Sequence, residues 1–194
     1  MPKGRPLTSS RPSTEYGRFA LFIDGANLYH TLRELGLHID YRRLLVALEM
    51  RGTLLRATYY TAILAENPPD WLVRLTDWLA YNGYHVVTRP ARRFRQRTLD
   101  EDGIESWIEE TKGNVNIELV VDMLKLAPYC DTMLLFTGNG DFVSVIEALQ
   151  RQGCRVIVVS SEKTESSVVA DVLRREADEF VELMTLADEV GMRE

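Results

Sequence analysis

The chain has 194 residues, of which 45% are hydrophobic and 27% charged, and its formal net charge is −6. That length suits one domain with a full core, and the negative balance excludes a whole-surface positive field as the means of gathering nucleic acid. Two cysteines without a CxxC and three histidines without ligand spacing argue against a disulfide scaffold or structural zinc.

Reducing, cytoplasmic surroundings suit that cysteine usage. No apolar run approaches the roughly 20 residues of a membrane span, so no membrane partner is expected. Residues 1–17, MPKGRPLTSSRPSTEYG, read as a mobile basic tail, and residues 18–194 as a single domain. RFALFID (18–24) is a short apolar run, followed by a helix over Asn27–Leu35 and a second over Tyr41–Arg51. LLRATYYTAIL (54–64) has the β-branched and aromatic content of a strand. PPDWLVRLTDWLAYNG opens a helix with prolines and Asp70 and closes it at Gly83. The spacing of Trp71, Trp78 and Tyr81 predicts that they bury against the sheet.

YHVVTRP (84–90) is the next strand, and GNVNIELVVDMLKLA (113–127) a helix with Leu119, Val120, Met123, Leu124 and Ala127 on its apolar stripe. MLLFTG and CRVIVVS are two further strands around a helix from Asp141 to Gln152. A last helix lies near Ser166–Ala177, and EFVEL forms a short edge strand. Apolar runs of four to eight residues alternating with helices predict an α/β fold with a mainly parallel sheet covered on both faces. Such sheets bind ligands beyond the carboxyl ends of their strands, where successive connections diverge.

The strand ends therefore carry the chemistry. Asp24-Gly25-Ala26-Asn27 follows the first strand, Thr137-Gly138-Asn139-Gly140-Asp141 follows TMLLF, and Ser160, Ser161, Glu162 and Lys163 close VIVVS. Gly138-x-Gly140 is a broken dinucleotide fingerprint without its third small residue, and Asp141 puts negative charge where a pyrophosphate would sit. Asn27, Asn139 and Asp141 equally suit helix caps. Asp122 borders the apolar stripe of its helix at about 100° per residue, with Glu118 one turn earlier, where a solvated flank charge paired with Lys125 is the plain alternative. If Asp24, Asp122 and Asp141 converge, their repulsion calls for a divalent cation, and a few carboxylates with water and substrate phosphate are how Mg2+ or Mn2+ is held.

FIDGANLY (22–29), KGNVNIELVVDML (112–124) and TGNGDFVSVIEALQRQGCRVIVVS (137–160) together resemble the NYN domain, the LabA-like branch of the PIN-like metal-dependent ribonucleases. The resemblance spans about residues 18–184. It implies a three-layer α/β/α sandwich with a central, mainly parallel sheet, an acidic site at the strand ends, Mg2+ or Mn2+, and RNA as substrate. It matches Asp24, Asp122 and Asp141 to catalytic metal-site acids and Asn139 to a further ligand position. Asn27, Asn116, Glu118, Gly138 and Ser160 surround the implied pocket. Asn116 and Asn139 stand where the family commonly has aspartate. An asparagine carbonyl can ligate a cation but brings no charge, so weaker metal binding is expected.

Against the acidic background, Arg89, Arg92, Arg93, Arg95 and Arg97 crowd into nine residues around Phe94. Arginine pairs with phosphate in a bidentate manner and Phe94 can stack on an unpaired base, so this segment and Lys112 are candidate contacts for single-stranded or loop RNA. A solvated hairpin whose arginines pair with Glu101, Asp102, Glu105 and Glu109 is the alternative. The expected activity is a metal-dependent RNA endonuclease. A non-catalytic RNA-binding or regulatory module on the same fold and a phosphatase for small phosphoesters are its rivals, and a homodimer is left open.

Overall fold

The computed structural model describes residues 15–99, 105–164 and 169–189, with the backbone alone described over 93–99, 105–112 and 188–189. In chain order the elements are β1 (Gly17–Asp24), α1 (Gly25–Leu35), α2 (Tyr41–Glu49), β2 (Gly52–Leu64), α3 (Asp70–Tyr81), β3 (His85–Leu99) and β4 (Glu105–Lys112). Then follow α4 (Asn116–Leu126), β5 (Thr132–Phe136), α5 (Val143–Gln150), β6 (Arg155–Ser160), α6 (Asp171–Glu176), β7 (Glu179–Glu182) and α7 (Leu183–Glu189). Short 3-10 turns lie at Ala127–Tyr129, after α4, and at Gly140–Phe142, leading into α5.

The strands form one seven-stranded sheet in the order β4-β3-β2-β1-β5-β6-β7. Every pairing is parallel except β3 with β4, which is antiparallel. The sheet is therefore mainly parallel, as expected, and helices cover both faces. Alternation along the strands divides the core in two. Phe19, Leu21 and Ile23 of β1 pack with Leu28, Leu44, Leu48 and Leu79 of α1, α2 and α3, and with Leu183 of α7. Ala20 and Phe22 point the other way and pack with Leu119 and Met123 of α4, Ile146 and Leu149 of α5, and Leu173 of α6. Each fully buried Leu, Ile or Phe contributes about 1.5–3 kcal/mol relative to exposure, and β1, β5 and β6 supply buried apolar residues to both layers.

The order of strands also fixes the site. From β1 the chain moves outward through β2 and β3 on one side, then returns to place β5, β6 and β7 on the other. The carboxyl ends of β1 and β5 flank the point where the connections diverge, which is where open parallel sheets hold ligands.

Several expectations need correction. β3 runs to Leu99, well past residue 90, and β4 was not expected at all. These strands extend as an antiparallel ribbon beside the parallel sheet, and the acid-rich ESWIEETK carries no clear apolar period. Lys112 consequently ends β4 and does not open the following helix. Trp71, Trp78 and Tyr81 are exposed, Tyr81 at 91%. Leu72, Thr76 and Leu79, about one residue further round α3, take the buried face instead. Likewise Leu119, Met123 and Ala127 are buried while Leu124 faces outward. The helix expected near Ser166–Ala177 is confined to Asp171–Glu176, part of that stretch falling outside the described residues; β7 is the edge strand expected of EFVEL, and α7 after it was not expected. The expected basic tail falls largely outside the described residues.

Candidate acidic site at the carboxyl edge of the sheet

Asp24 ends β1 with only 6% of its surface exposed. It caps α1, accepting the Asn27 backbone N–H at Oδ1 (3.2 Å), while Thr137 donates its hydroxyl to Oδ2 (2.9 Å). Burial raises the Asp24 carboxyl above the ordinary carboxylate range, and the N–H groups of Asn27 and Ala26 with the Thr137 hydroxyl pull it back. The cap is thus Asp24, and Asn27 has a different task. Its side-chain Oδ1 accepts the backbone N–H of Gly138 at 2.8 Å, tying the first turn of α1 to the turn after β5.

That turn continues the connection. Thr137 Oγ1 accepts the Asn139 N–H at 3.2 Å. Asn139 Oδ1 caps the 3-10 turn by accepting the Asp141 N–H at 3.0 Å, and its Nδ2 donates to Asp141 Oδ2 at 3.3 Å. Asp141 is exposed at the mouth of the edge. A chain of hydrogen bonds therefore runs from buried Asp24 through Thr137 and Asn139 to exposed Asp141.

Asp122 approaches from α4. Tyr60 lies beside Asp24 in the register of β1 and β2, and its hydroxyl donates to Asp122 Oδ2 at 3.0 Å. Burial first, and then the Asp122 charge, push the Tyr60 hydroxyl far above the usual range, so it stays a donor. Lys125 Nζ is 3.9 Å from Asp122 Oδ1, the plain pairing anticipated for this helix flank. Ala20, Phe22 and Tyr60 belong to the core layer under α4, and strand alternation places Asp24 on that same face. Ser160 closes β6 at 2% exposure, and its Oγ has no hydrogen-bond partner among the described residues. Asn116 is the first residue of α4, its N–H donating to Asn114 Oδ1 at 2.6 Å.

Glu118 is engaged. Its Oε1 pairs with Arg89 Nε at 2.6 Å, and that hydrogen bond lowers its carboxyl pKa. Arg92 is exposed and opposite Lys112 across the β3–β4 ribbon. The register sets Arg93 opposite Thr111, Phe94 opposite Glu110, Arg95 opposite Glu109 and Arg97 opposite Trp107, and the side chains of these residues lie outside the described ones. Thr137 and Tyr60, which hold two of the three aspartates, were not foreseen. A threonine directly after a buried strand was the one local signal for the first.

Among the described residues, no three His, Cys, Asp or Glu side chains form a ready cage for a metal ion. The donors at this edge are nevertheless all hard oxygens, namely Asp24, Asp122, Asp141, the Asn139 amide and the Ser160 hydroxyl, which suit Mg2+ or Mn2+ and not a soft metal. A desolvated carboxylate held up by neutral donors, together with an unpartnered buried hydroxyl on β6, is the environment that a hard dication would relieve.

A doubly covered parallel sheet with acidic residues at its switch point defines a class of α/β/α domain. The chain belongs to the NYN domain family, whose model matches residues 18–184. It is 31% identical over 175 residues, 89% of this chain and 85% of the other, to the low amplitude and bright protein LabA of Synechococcus elongatus (strain ATCC 33912 / PCC 7942 / FACHB-805). Its fold is similar to that of a protein of unknown function, VPA0982 from Vibrio parahaemolyticus RIMD 2210633, with a TM-score of 0.67, 24% identity and coverage of 90% of this chain and 96% of that one. No helix among the described residues is long and apolar enough to cross a membrane.

Proposed function

We propose that this protein is a metal-dependent ribonuclease hydrolysing phosphodiester bonds at the carboxyl edge of its sheet. The observation that carries the reading is the desolvated Asp24 carboxylate at the switch point, linked through Thr137 and Asn139 to Asp141 and sharing a sheet face with Asp122. Membership of the NYN family adds a general association with nucleases and RNA.

Asp24, Asp141 and the Asn139 carbonyl would hold Mg2+ or Mn2+, with Asp122 completing the acidic rim. Such an ion supplies an acidified water and screens charge developing on phosphate. The chain's own residues do the rest. Thr137 and the N–H of Asn27 fix both oxygens of Asp24, so its carboxylate does not rotate as a phosphodiester arrives. Tyr60 orients Asp122 in the same way. The Asn27–Gly138 bond keeps the two strand ends together.

Cleavage of a fluorescent single-stranded RNA with Mn2+, with EDTA and by Asp24→Asn and Asp141→Asn variants tests the proposal. Loss of cleavage in EDTA and in both variants is expected. Equal cleavage in all four would sink it.

A second reading, a non-catalytic RNA-binding module, is favoured by one specific arrangement. Asn139 spends its side chain capping Asp141, where a carboxylate would add charge for an ion. RNA binding without turnover by the wild-type protein, with cleavage appearing in Asn139→Asp, would establish that reading instead.

A further inference from the structure

Trp71, expected against the sheet, lies instead beside Tyr29 of α1. They stack on each other, with ring centroids 4.8 Å apart and planes inclined by 16°, yet Tyr29 remains 38% and Trp71 43% exposed. Two large aromatic side chains left in water at that level lose the burial that each ordinarily supplies. Their surroundings indicate what the exposed faces are for.

The pair forms a wall between two hollows. The first, about 410 Å³, is lined by Gly25, Ala26 and His30 of α1, by Thr61 and Ala62 of β2, and by Gly113. Gly25 and Ala26 directly follow Asp24, so this hollow meets the carboxyl end of β1 from the side of the sheet that α1 and α3 cover. Its floor depends on missing side chains. A Cβ at Gly25 would come within 2.5 Å of the Tyr59 ring, and one at Gly113 within 2.5 Å of the Ala62 Cβ. The second hollow, about 390 Å³, lies across the wall and includes Arg33 and His38. A third, about 420 Å³, shares Leu64 and Ala91 with the first and ends at Arg92. The three adjoin, with Arg33 and His38 at one end, Arg92 beside Glu66 at the other, and the aromatic wall between.

Cations spaced along a groove with a stacking platform between them match the chemistry of an unpaired polynucleotide, whose phosphates and base faces alternate. A duplex keeps its bases paired and stacked on each other and would present none to the wall. We propose that these hollows form one track for single-stranded RNA and that the Tyr29–Trp71 wall seats a nucleobase at the carboxyl end of β1, across the strand end from Asp24. The inference rests on the RNA reading given above and adds the subsite that holds the substrate. The base stacks on an open aromatic face in the first hollow, Arg92 and Arg33 take flanking phosphates, and the neighbouring phosphodiester lies over the acidic edge. Stacking tolerates every base, so the subsite selects unpaired strands and not a sequence.

The test is equilibrium binding, measured by fluorescence anisotropy without divalent metal so that no cleavage intervenes. The ligands are an eight-nucleotide homopolymeric RNA and a set carrying a single abasic residue at each position in turn. In the wild-type protein one abasic position is expected to weaken binding about tenfold, the range of a lost base–aromatic stack. Trp71→Ala should weaken the intact RNA by a similar factor and abolish the extra loss at that position, whereas Trp71→Phe should retain most of both. Trp71 is exposed, so truncation leaves the buried layer of Leu72 and Leu79 in place, and a melting curve confirms folding. Strong wild-type binding that is indifferent to Trp71→Ala, or abasic and Trp71 losses that simply add, overturns the nucleobase subsite and leaves the RNA reading standing. Absence of any wild-type binding overturns both.

Discussion

Asn27 and Gly138 are joined across 111 residues of sequence by one hydrogen bond, from the Gly138 N–H to Asn27 Oδ1 at 2.8 Å. The bond closes the gap between the carboxyl ends of β1 and β5, and it explains why an asparagine follows Asp24 by three residues without capping the helix. Capping falls to Asp24, which leaves the Asn27 side chain able to reach the next strand.

Asn27→Ala should therefore destabilise the fold although the residue is only partly buried. The substitution strands the Gly138 N–H in a buried turn, at a cost of about 1–3 kcal/mol, or roughly 2–4 °C in Tm for each kcal/mol in a chain of this size. Asn27→Asp keeps the acceptor but sets a second carboxylate beside Asp24. Its Tm should fall too, and adding Mn2+ should recover part of the loss. Calorimetric melting of the three proteins checks both statements.

Asp24 makes a prediction about pH. Its folded pKa is raised, chiefly by desolvation. The stability tied to its protonated form is fully present below the unfolded value of about 3.9 and is lost as pH rises through the folded value. Asp24→Asn imitates the protonated form. At about pH 7 it should melt no lower than wild type, and the difference in Tm should shrink as pH falls toward about 4. A variant clearly less stable than wild type at neutral pH would show that the buried charge is compensated by something other than the neutral donors described. Loss of catalysis with no loss of stability is the pattern expected where a fold sustains strain for function.

Much of this edge is legible in the sequence. An apolar run ending in Asp24, and TMLLF ending in a Thr-Gly-Asn turn, are local patterns, and the alternation of strands and helices sets both ends at one edge. Thr137 and Tyr60 were not legible, because their roles follow from β1 lying between β2 and β5, and strand order is a long-range property. The face of α3 was misread for a local reason. Trp71, Trp78 and Tyr81 keep helical spacing, but Leu72, Thr76 and Leu79 form a competing stripe, and the size of a side chain does not decide which stripe meets the sheet.

Asn139 offers a gain-of-binding experiment. Asn139→Asp retains an acceptor for the Asp141 N–H but replaces the amide donor to Asp141 with a carboxylate. Without metal the two acids repel and Tm should drop. With Mn2+ the added charge should tighten binding, and a tenfold lower Kd adds about 1.4 kcal/mol of ligand stabilisation at saturating metal. Tm followed across a Mn2+ titration reads both effects. A metal-dependent rise no greater than that of wild type would remove position 139 from the ion's surroundings.

The pairing of Glu118 with Arg89 supplies the last prediction. Arg89 begins the arginine-rich part of β3, and its guanidinium is held against α4 by the 2.6 Å contact with Glu118 Oε1. The contact aims the arginine, but it also neutralises the charge that a phosphate would seek. Glu118→Gln keeps a hydrogen-bond acceptor for Arg89 while deleting the competing anion. RNA binding should become a few-fold tighter, and the dependence of log K on log salt should steepen by about 0.7 for one additional phosphate contact with a single strand. Arg89→Ala should do the reverse, weakening binding and flattening the salt dependence by about the same amount. The two variants move one electrostatic term in opposite directions while leaving the core untouched. If neither changes affinity or slope, RNA passes this edge without meeting Arg89, and the path through Arg92 and the Tyr29–Trp71 wall must carry the strand by itself.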